Sequence, residues 1–423
     1  MPDVRRLEAL VQHIEDRRDE IVRLCAQLIQ IPTDAPPGDT TAAVAFLADL
    51  FSREQIEYEI FEPQPGLQSI CAVLRGDEPG PTLVMNGHID QFPADDPALW
   101  THSPYSGAVV DGRIYGRGAI DMKGGTTASL YTLLLFKRLN LLTKGTLRLM
   151  LVADEESGGQ WGTDWILTQR PEWAGDACLI GEPTGLGAVR IGEKGQLWLA
   201  LTASATSYHS ALADGLGPVH DIAQAVIALQ KSLVGRPGRA PADMQAVIEG
   251  AKQYEWFDHF KGRGWLVDHV SLNFGMIHGG IKTNVAPREC EVEVDIRIPL
   301  GVDLDETVLE VRRILAQHEL NIQIRQLLHR PCPPTYTAPN HPLVTMAMDT
   351  VTSITGERPI RMFSPTFTDS RFFRIRDVPA ILCGPTPYNM AGPDEYITID
   401  DLVAVTKVHT GIALRFLAAG AVT

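Results

Sequence analysis

The stretch Leu83-Val-Met-Asn-Gly-His88-Ile-Asp90 leads an apolar segment directly into a histidine and an aspartate two residues apart. The apolar segment predicts a buried β-strand, because short apolar runs are typical of strands that are covered on both faces. The carboxyl ends of parallel strands border a crevice, so His88 would reach it with Asp90 close by. Taken alone the pattern is weak, because most single histidines are structural.

In three further segments, a strand-like or glycine-rich run leads into one or more acidic residues. They are Tyr115-Gly-Arg-Gly-Ala-Ile-Asp121-Met-Lys-Gly-Gly125, Leu149-Met-Leu-Val-Ala-Asp154-Glu155-Glu156-Ser-Gly-Gly159 and Leu179-Ile-Gly-Glu182-Pro-Thr184. Simpler explanations exist, since Asp121 could cap a helix and the acids from Asp154 could form a solvated turn. Three adjacent carboxylates repel one another, however, and a bound cation would relieve that repulsion.

Together the four segments predict one metal centre at the carboxyl edge of a sheet. A histidine combined with several aspartates and glutamates is a ligand set that suits zinc, manganese or cobalt. The neighbours Glu155 and Glu156 allow a division of labour, in which one binds the metal and the other acts as general base on a water molecule. The residues therefore favour a metal-dependent hydrolase.

Apolar runs alternate with helical patterns through the first 150 residues, which predicts an α/β domain. The predicted helices lie at 5–30, 40–51 and 126–139, and the predicted strands lie at 70–74, 82–85 and 147–152.

From about residue 195 the predicted order changes to βαββαβ, which suggests a small ferredoxin-like domain. This order ends at the linker Arg330-Pro-Cys-Pro-Pro, after which an α/β pattern returns. Residues 235–266, with Trp256 and Trp265, form an excursion for which the sequence predicts no structure. We expect an α/β fold in which a split catalytic domain with a mainly parallel central sheet, at 1–193 and 331–423, encloses an inserted lid domain at 194–330.

The composition excludes several classes of protein. The 423 residues carry a formal net charge of −15, which argues against nucleic acid as a partner, because phosphate contacts need clustered lysines and arginines. The six cysteines are scattered without a CxxC pair, so we expect a reducing compartment. No stretch is expected to reach the roughly 18–20 apolar residues of a membrane span, which predicts a cytoplasmic protein with no membrane partner.

The chemistry-bearing segments resemble the co-catalytic metallopeptidase family that includes acetylornithine deacetylase, succinyl-diaminopimelate desuccinylase, aminoacylase and glutamate carboxypeptidase. The resemblance covers nearly the whole chain. Its motifs, in chain order, are Gly-His88-Ile-Asp90, Gly-Arg-Gly-Ala-Ile-Asp121-Met-Lys-Gly-Gly, Asp-Glu155-Glu156-Ser-Gly-Gly, Gly-Glu182-Pro-Thr, Thr-Asn284-Val-Ala-Pro, Thr368-Asp-Ser-Arg and Pro-Asp-Glu395-Tyr.

The resemblance implies a role for each residue of the metal centre. His88 and Glu182 would bind one metal, Asp121 would bridge, and Glu156 would belong to a second metal. Glu155 matches the general base.

The resemblance also implies roles around the centre. Asp90 matches the carboxylate behind the ligand histidine. The inserted domain would be a dimerisation lid, so we expect a homodimer or a higher homo-oligomer in which His209 reaches the partner's active site and polarises the scissile group. Lys194, Asn284 and Arg297 match positions that bind a substrate carboxylate, and all three side chains are cations or hydrogen-bond donors, as that task requires.

One departure from the family concerns the second metal. The family supplies a last histidine a few residues before the Pro-Asp-Glu395-Tyr segment. Here the segment contains Ala391 instead, and no histidine occurs between His341 and His409. His409 falls within a helix predicted at 399–417 and is an implausible replacement.

The second metal site would therefore retain only Asp121 and Glu156, with Asn389 or water. Without a nitrogen ligand it should be weak or absent. We expect about one divalent metal per chain.

Three functions remain open on the sequence. The first is hydrolysis of a C–N bond in a small carboxylate-bearing molecule, ordinarily an N-acyl amino acid. The second is the reaction of an aminohydrolase in the same family, which replaces the amino group of nitroanthranilate by hydroxyl. The third is a ligand-binding protein without catalysis, which the retained Glu155 argues against, because such a protein needs no base.

Overall fold

The computed structural model describes residues 2–254 and 262–419. The helices in this part of the chain are α1 (Pro2–Glu15), α2 (Arg18–Ile29), α3 (Thr41–Arg53), α4 (Gly124–Arg138), α5 (Thr163–Gln169), α6 (Pro218–Leu233), α7 (Gln245–Gln253), α8 (Leu304–Gln317), α9 (Pro342–Thr355), α10 (Ser370–Arg374) and α11 (Ile399–Ala419). The strands are β1 (Glu57–Gln64), β2 (Leu67–Arg75), β3 (Glu78–His88), β4 (Ala108–Val110), β5 (Arg113–Tyr115), β6 (Lys144–Val152), β7 (Ala177–Ile180), β8 (Ala188–Glu193), β9 (Gly195–Ser204), β10 (Ser271–Gly279), β11 (Glu289–Ile298), β12 (Ile322–Gln326), β13 (Thr335–Tyr336), β14 (Ile360–Ser364), β15 (Ala380–Leu382) and β16 (Tyr396–Thr398).

The catalytic domain is built on a sheet in the order β1-β2-β6-β3-β7-β15-β8-β13, with β14 also paired to β8. The strands β6, β3, β7 and β15 are parallel to their neighbours at its centre. Antiparallel pairs lie on both sides of them, β1 with β2 and β2 with β6 on one side, and β8 with β15 and β13 on the other. The predicted α/β class is confirmed, although the sheet as a whole is mixed.

The inserted domain follows the predicted βαββαβ order, from β9 through α6, β10, β11 and α8 to β12. Its strands form an antiparallel sheet in the order β10-β11-β9-β12. Apolar side chains of α6 and α8 pack on the strands in a core separate from that of the catalytic domain. The strand β10 lies at the sheet edge. The exact bounds 194 and 330 stay a prediction.

The opening segment is two helices, so the prediction of one helix over 5–30 was wrong. The break lies at Asp16 and Arg17, inside an uninterrupted run of charged residues from Glu15 to Glu20. Asp19 and Glu20 occupy the first turn of α2, where acidic side chains stabilise a helix start. The apolar spacing alone did not show this restart.

The excursion at 235–266 returns to the catalytic domain. Its helix α7 packs against β14, and the buried side chains of Met244, Val247, Ile248 and Ala251 belong to the main apolar core. Trp265 is described and is 40% exposed, whereas Trp256 lies outside the described residues.

The last helix, α11, corrects the expectation about apolar stretches. Among the described residues, α11 is a helix that is long enough and apolar enough to cross a membrane. However, 72% of its most apolar window is buried within the protein. It packs against α1, α4 and α9, as a core helix does.

Candidate metal centre and active site

The carboxyl ends of three adjacent parallel strands deliver the predicted residues to one place. The strand β3 ends at His88, β6 ends three residues before Glu155, and β7 ends two residues before Glu182. Because these strands are neighbours in the order β6-β3-β7, their ends open on the same side of the sheet.

His88, Asp121 and Glu182 form a compact group. Each offers one ligand atom, and the three atoms lie within 4.8 Å of one another. The Nε2 atom of His88 is 3.1 Å from Oδ1 of Asp121 and 3.5 Å from Oε1 of Glu182. Burial by itself lowers the pKa of His88, but the two carboxylates outweigh burial and raise it well above the ordinary value.

The chain orients the imidazole of His88 through Asp90. Nδ1 of His88 donates to the main-chain carbonyl of Asp90 at 2.9 Å, since a carbonyl can only accept. This bond leaves Nε2 directed at Asp121 and Glu182, the arrangement expected of a metal-ligating histidine.

The Asp90 carboxylate lies behind His88, as the resemblance implied, but its hydrogen bonds go elsewhere. Oδ1 is 3.6 Å from Nδ1 of His88, whereas the two oxygens accept the main-chain N–H groups of Glu155 at 3.3 Å and Glu156 at 3.1 Å. Asp90 is fully buried. Its two hydrogen bonds fix the turn that presents both glutamates.

Glu155 and Glu156 both line the cavity at this edge of the sheet. One oxygen of each, Oε1, is buried and has no hydrogen-bond partner among the described residues. Arg371 approaches Glu155 at 3.8 Å. Burial, followed by repulsion from nearby carboxylates, raises the pKa of both glutamates well above the ordinary value. Such a concentration of buried acid groups fits a bound cation.

The loop that carries Asp121 is held by Glu395. Oε1 of Glu395 accepts the main-chain N–H groups of Ile120 at 2.9 Å and Asp121 at 3.3 Å, and Oε2 is 2.7 Å from NH1 of Arg117. Both Glu395 and Arg117 are buried. The Pro-Asp-Glu395-Tyr motif therefore has a structural role in placing Asp121, a candidate metal ligand.

The cavity has a volume of about 320 Å³. The acidic residues of its lining are Asp121, Glu155, Glu156 and Glu182, and the cationic residues are Arg190 and Arg297. The remaining lining residues carry apolar, aromatic or hydroxyl side chains, and they are Phe92, Pro183, Trp198, Thr366, Phe367, Thr368, Met390 and Ala391. Arg297 is thus placed to meet a substrate, and its NH1 atom is buried without a hydrogen-bond partner.

Lys194 is buried and does not line this cavity. Its Nζ donates to the carbonyls of Leu266 at 3.0 Å and His269 at 2.6 Å and to Oγ of Ser271 at 3.0 Å. Burial lowers its pKa to about 7. In this structure Lys194 joins the excursion to the inserted sheet, and its substrate-binding role stays a prediction.

His209 and Asn284 lie together on the exposed surface of the inserted domain and do not line the cavity of their own chain. The main-chain N–H of Ser210 donates to the carbonyl of Asn284, and Nδ1 of His209 accepts from the N–H of Ala211. In this structure neither side chain reaches that cavity, so their roles stay predictions.

His409 is excluded as a metal ligand by its surroundings. It is fully buried in α11, where Nε2 donates to the carbonyl of Cys383 at 2.7 Å and Nδ1 accepts from Oγ of Ser129 at 3.0 Å. Ala391, in contrast, lines the cavity beside the acidic group.

The sequence analysis missed the aromatic part of the cavity. Trp198 lies on β9, where it pairs with Asp295 of β11, so it shares a face with the diagonal neighbour Arg297. Strand alternation could have placed Trp198 on one face with Gln196, but the pairing register with β11 was needed to bring it to Arg297. Phe367 precedes the Thr368-Asp-Ser-Arg motif and gave no signal of its own.

Comparison with known proteins agrees with this geometry. The model of peptidase family M20/M25/M40 matches residues 84–415. The succinyl-diaminopimelate desuccinylase of Methylorubrum extorquens is 30% identical over 402 residues, covering 91% of this chain and 96% of that protein.

Solved structures show the same fold at low sequence identity. A family M20 metallo-carboxypeptidase from Sulfolobus solfataricus superposes with a TM-score of 0.80 at 19% identity, covering 94% of this chain and 99% of that one. A dinuclear metal-binding peptidase of the family from Bacillus subtilis gives a TM-score of 0.64 at 15% identity, covering 96% and 99%.

The matched region holds the whole strand-end cluster, and the desuccinylase relative extends over nearly the full chain. The chain therefore belongs to peptidase family M20/M25/M40 and is a metal-dependent hydrolase.

Proposed function

We propose that this enzyme hydrolyses the amide C–N bond of a small N-acylated carboxylate, with Glu155 as the general base. The observation that carries the proposal is the placement of Glu155. It lines the cavity, and its Oε1 is buried with no hydrogen-bond partner in the part of the chain that the structure describes. A carboxylate so placed can take a proton from water and pass it to the departing nitrogen. The turn held by Asp90 keeps Glu155 in position for both transfers.

We further propose that His88, Asp121 and Glu182 hold one divalent transition metal, with zinc, manganese and cobalt as the candidates. The donor set fits, because one nitrogen and two carboxylates offer ligand atoms within 4.8 Å of one another, a combination that suits these metals. When bound, such a metal supplies Lewis acidity at the scissile group. Glu156 with Asp121 would give a second site only oxygen donors, since Ala391 contributes none.

Arg297 is proposed to bind the substrate carboxylate. Its guanidinium lines the cavity and keeps NH1 free of protein partners, while Nε donates to Asp295 at 2.8 Å. A carboxylate on NH1 would satisfy that buried donor. Lys194 and Asn284 stay as weaker candidates, because neither lines the cavity.

A homodimer is proposed because His209 and Asn284 need another chain to reach a cavity. The edge strand β10 supports this, since it is exposed and carries the exposed apolar side chains of Met276 and Ile277. Exposed edge strands are prone to pair with a second copy.

The alternative chemistry is replacement of an amino group on an aromatic carboxylate by hydroxyl. Two features favour keeping it, namely the absence of a histidine at Ala391 and the aromatic side chains of the cavity. The two reactions release different products. Free ammonia would identify the aminohydrolase, and a free amino acid with an organic acid would identify the deacylase.

The substitution Glu155→Gln tests the base. Glutamine keeps the size of glutamate but cannot accept the proton, so turnover should fall by at least about 100-fold while substrate binding is largely retained. Steady-state kinetics and calorimetric binding measure the two effects. Glu289→Gln, at an exposed position on β11, is the matched control and should behave as wild type. Near-normal turnover of Glu155→Gln would remove Glu155 from the mechanism.

A further inference from the structure

The face of the inserted sheet that borders the cavity carries polar atoms without partners. Gln196 and Trp198 on β9, and Asp295 and Arg297 on β11, all belong to this face, because the register pairs Trp198 with Asp295 and Gln196 with Arg297. Each of the four has one buried side-chain nitrogen or oxygen that makes no hydrogen bond within residues 2–254 and 262–419.

Buried polar groups in native proteins nearly always have partners, so a cluster of four without them indicates a place for a ligand. Three of the four atoms are donors, the nitrogens of Gln196, Trp198 and Arg297. Of these residues, Trp198 and Arg297 line the cavity of the metal centre. The ligand group that fits beside them is an acceptor with more than one oxygen, such as a carboxylate.

Phe367 adds a fixed aromatic wall next to these donors. Its ring centroid is 6.5 Å from that of Trp198 in an edge-to-face arrangement at 89°, and the guanidinium carbons of Arg297 and Arg371 lie 4.6 Å and 4.3 Å from it. These contacts hold the ring in place, and part of it still faces the cavity. Phe92 lines the same cavity.

The charges of the cavity do not suit a substrate with an additional ammonium group. Its four acidic residues all belong to the metal and base cluster, and the remaining charged residues of the lining are Arg190 and Arg297. The acids Glu293 and Asp295 line a neighbouring cavity of about 310 Å³, and Trp198 is the residue that borders both. The indole therefore lies at the border between the acidic cavity and the cavity of the reaction centre.

We propose that Trp198, Phe367 and Arg297 form a subsite for an aromatic carboxylate portion of the substrate, in which Trp198 and Phe367 determine specificity. The ring packs against Phe367 and Phe92, while Nε1 of Trp198 and NH1 of Arg297 donate to the carboxylate. The inference rests on the proposed function in its choice of N-acyl substrates. The subsite itself can be tested by binding measurements without turnover. It predicts discrimination against N-succinyl-diaminopimelate, whose side chain is charged and carries no ring to pack against Phe367 and Phe92.

The first experiment measures kcat/KM of the zinc-loaded enzyme for N-acetyl-L-phenylalanine, N-acetyl-L-alanine and N-succinyl-L,L-diaminopimelate. We expect the phenylalanine compound to be preferred by at least about tenfold, because aromatic contacts add to the burial of the ring. Phe367→Leu should reduce the preference over the alanine compound about three- to tenfold. Preference for either of the other two compounds would overturn the inference and leave hydrolysis intact.

The second experiment measures binding of 3-phenylpropanoate and propanoate by calorimetry and needs no turnover. Trp198→Phe keeps a ring but removes the N–H donor, so affinity for 3-phenylpropanoate should fall by about tenfold or more. The matched control is Trp265→Phe, which lies outside the cavity and should bind as wild type.

The two measurements separate the two proposals. Binding of 3-phenylpropanoate that depends on Trp198, without cleavage of any N-acyl compound, would retain the subsite and overturn the deacylase function. Equal affinity for 3-phenylpropanoate and propanoate, or no effect of Trp198→Phe in a variant with a wild-type circular dichroism spectrum, would overturn the subsite.

Discussion

At the scale of single residues, we expect Ala391 to limit the number of metal ions that the active site holds. Ala391 lines the cavity at the position where the family supplies a histidine. The methyl side chain of alanine cannot bind a metal. With His88, Asp121 and Glu182 as one complete ligand set, we expect about one tightly bound metal per wild-type chain. Ala391→His should raise this number to about two, because the new imidazole would join Asp121 and Glu156. Elemental analysis after dialysis against a weak chelator measures the change.

The backbone at Ala391 is compatible with this test, because its φ of 61° lies in the left-handed region, which histidine visits more readily than most residues. Ala391→Gln is the control, since it adds a side chain of similar size without an imidazole nitrogen, and it should leave the metal content near one. Two tightly held metals in the wild-type protein would show that another residue replaces the absent histidine.

His409 should make the fold sensitive to acid. Burial lowers its pKa to about 4, so between pH 6.5 and 4 the unfolded chain binds a proton that the folded chain does not. Stability due to this residue is therefore present above pH 6.5 and is lost as the pH falls, by about 2 kcal/mol between pH 7 and 4.5.

The measurement is the free energy of unfolding of wild type and His409→Asn at several pH values. Asparagine keeps a donor and an acceptor for Cys383 and Ser129 but does not titrate. The difference in stability between the two proteins should shrink by about 2 kcal/mol on acidification. Parallel pH profiles would show that folding does not shift the pKa of His409.

That the residues of the candidate metal centre lie close together was predictable from the sequence, because parallel strand ends converge. His88 and Glu182 needed only the recognition of two buried strands. The task of Asp90 was not predictable in the same way, since its carboxylate bonds to main-chain N–H groups of a turn 65 residues away. Trp198 was missed because its place beside Arg297 depends on strand register, which apolar spacing does not encode.

At the level of elements, α7 connects the inserted domain to the catalytic domain. It lies in the excursion between α6 and β10, yet its buried side chains join the main core against β14. The sequence predicted no structure here, because nine residues of helix show too few turns to fix which core they join.

Ile248→Ala should therefore destabilise the catalytic domain although residue 248 lies within the insertion. Ile248 is 3% exposed, and truncation of such a side chain costs about 2–5 kcal/mol. Ile227→Ala on α6 is the control, since Ile227 is 45% exposed and should cost far less. Urea unfolding followed by circular dichroism compares the two variants. Equal small losses would indicate that α7 does not contribute to the main core in solution.

For the whole molecule, the separation of His209 from its own cavity makes a mixing experiment decisive. Glu155→Gln and His209→Ala should each be inactive as homodimers, the first without a base and the second without the group that polarises the substrate. In a mixed dimer, the chain that keeps Glu155 receives His209 of the partner subunit, so one of the two sites is complete. Random exchange of equal amounts should restore about a quarter of wild-type activity, since half the dimers are mixed and each mixed dimer has one complete site of two.

Replacing the His209→Ala partner by the double variant Glu155→Gln/His209→Ala should abolish this rescue, because no chain then carries a base. Subunit exchange verified by mass, with no recovery of activity, would place the action of His209 within its own chain or outside the reaction.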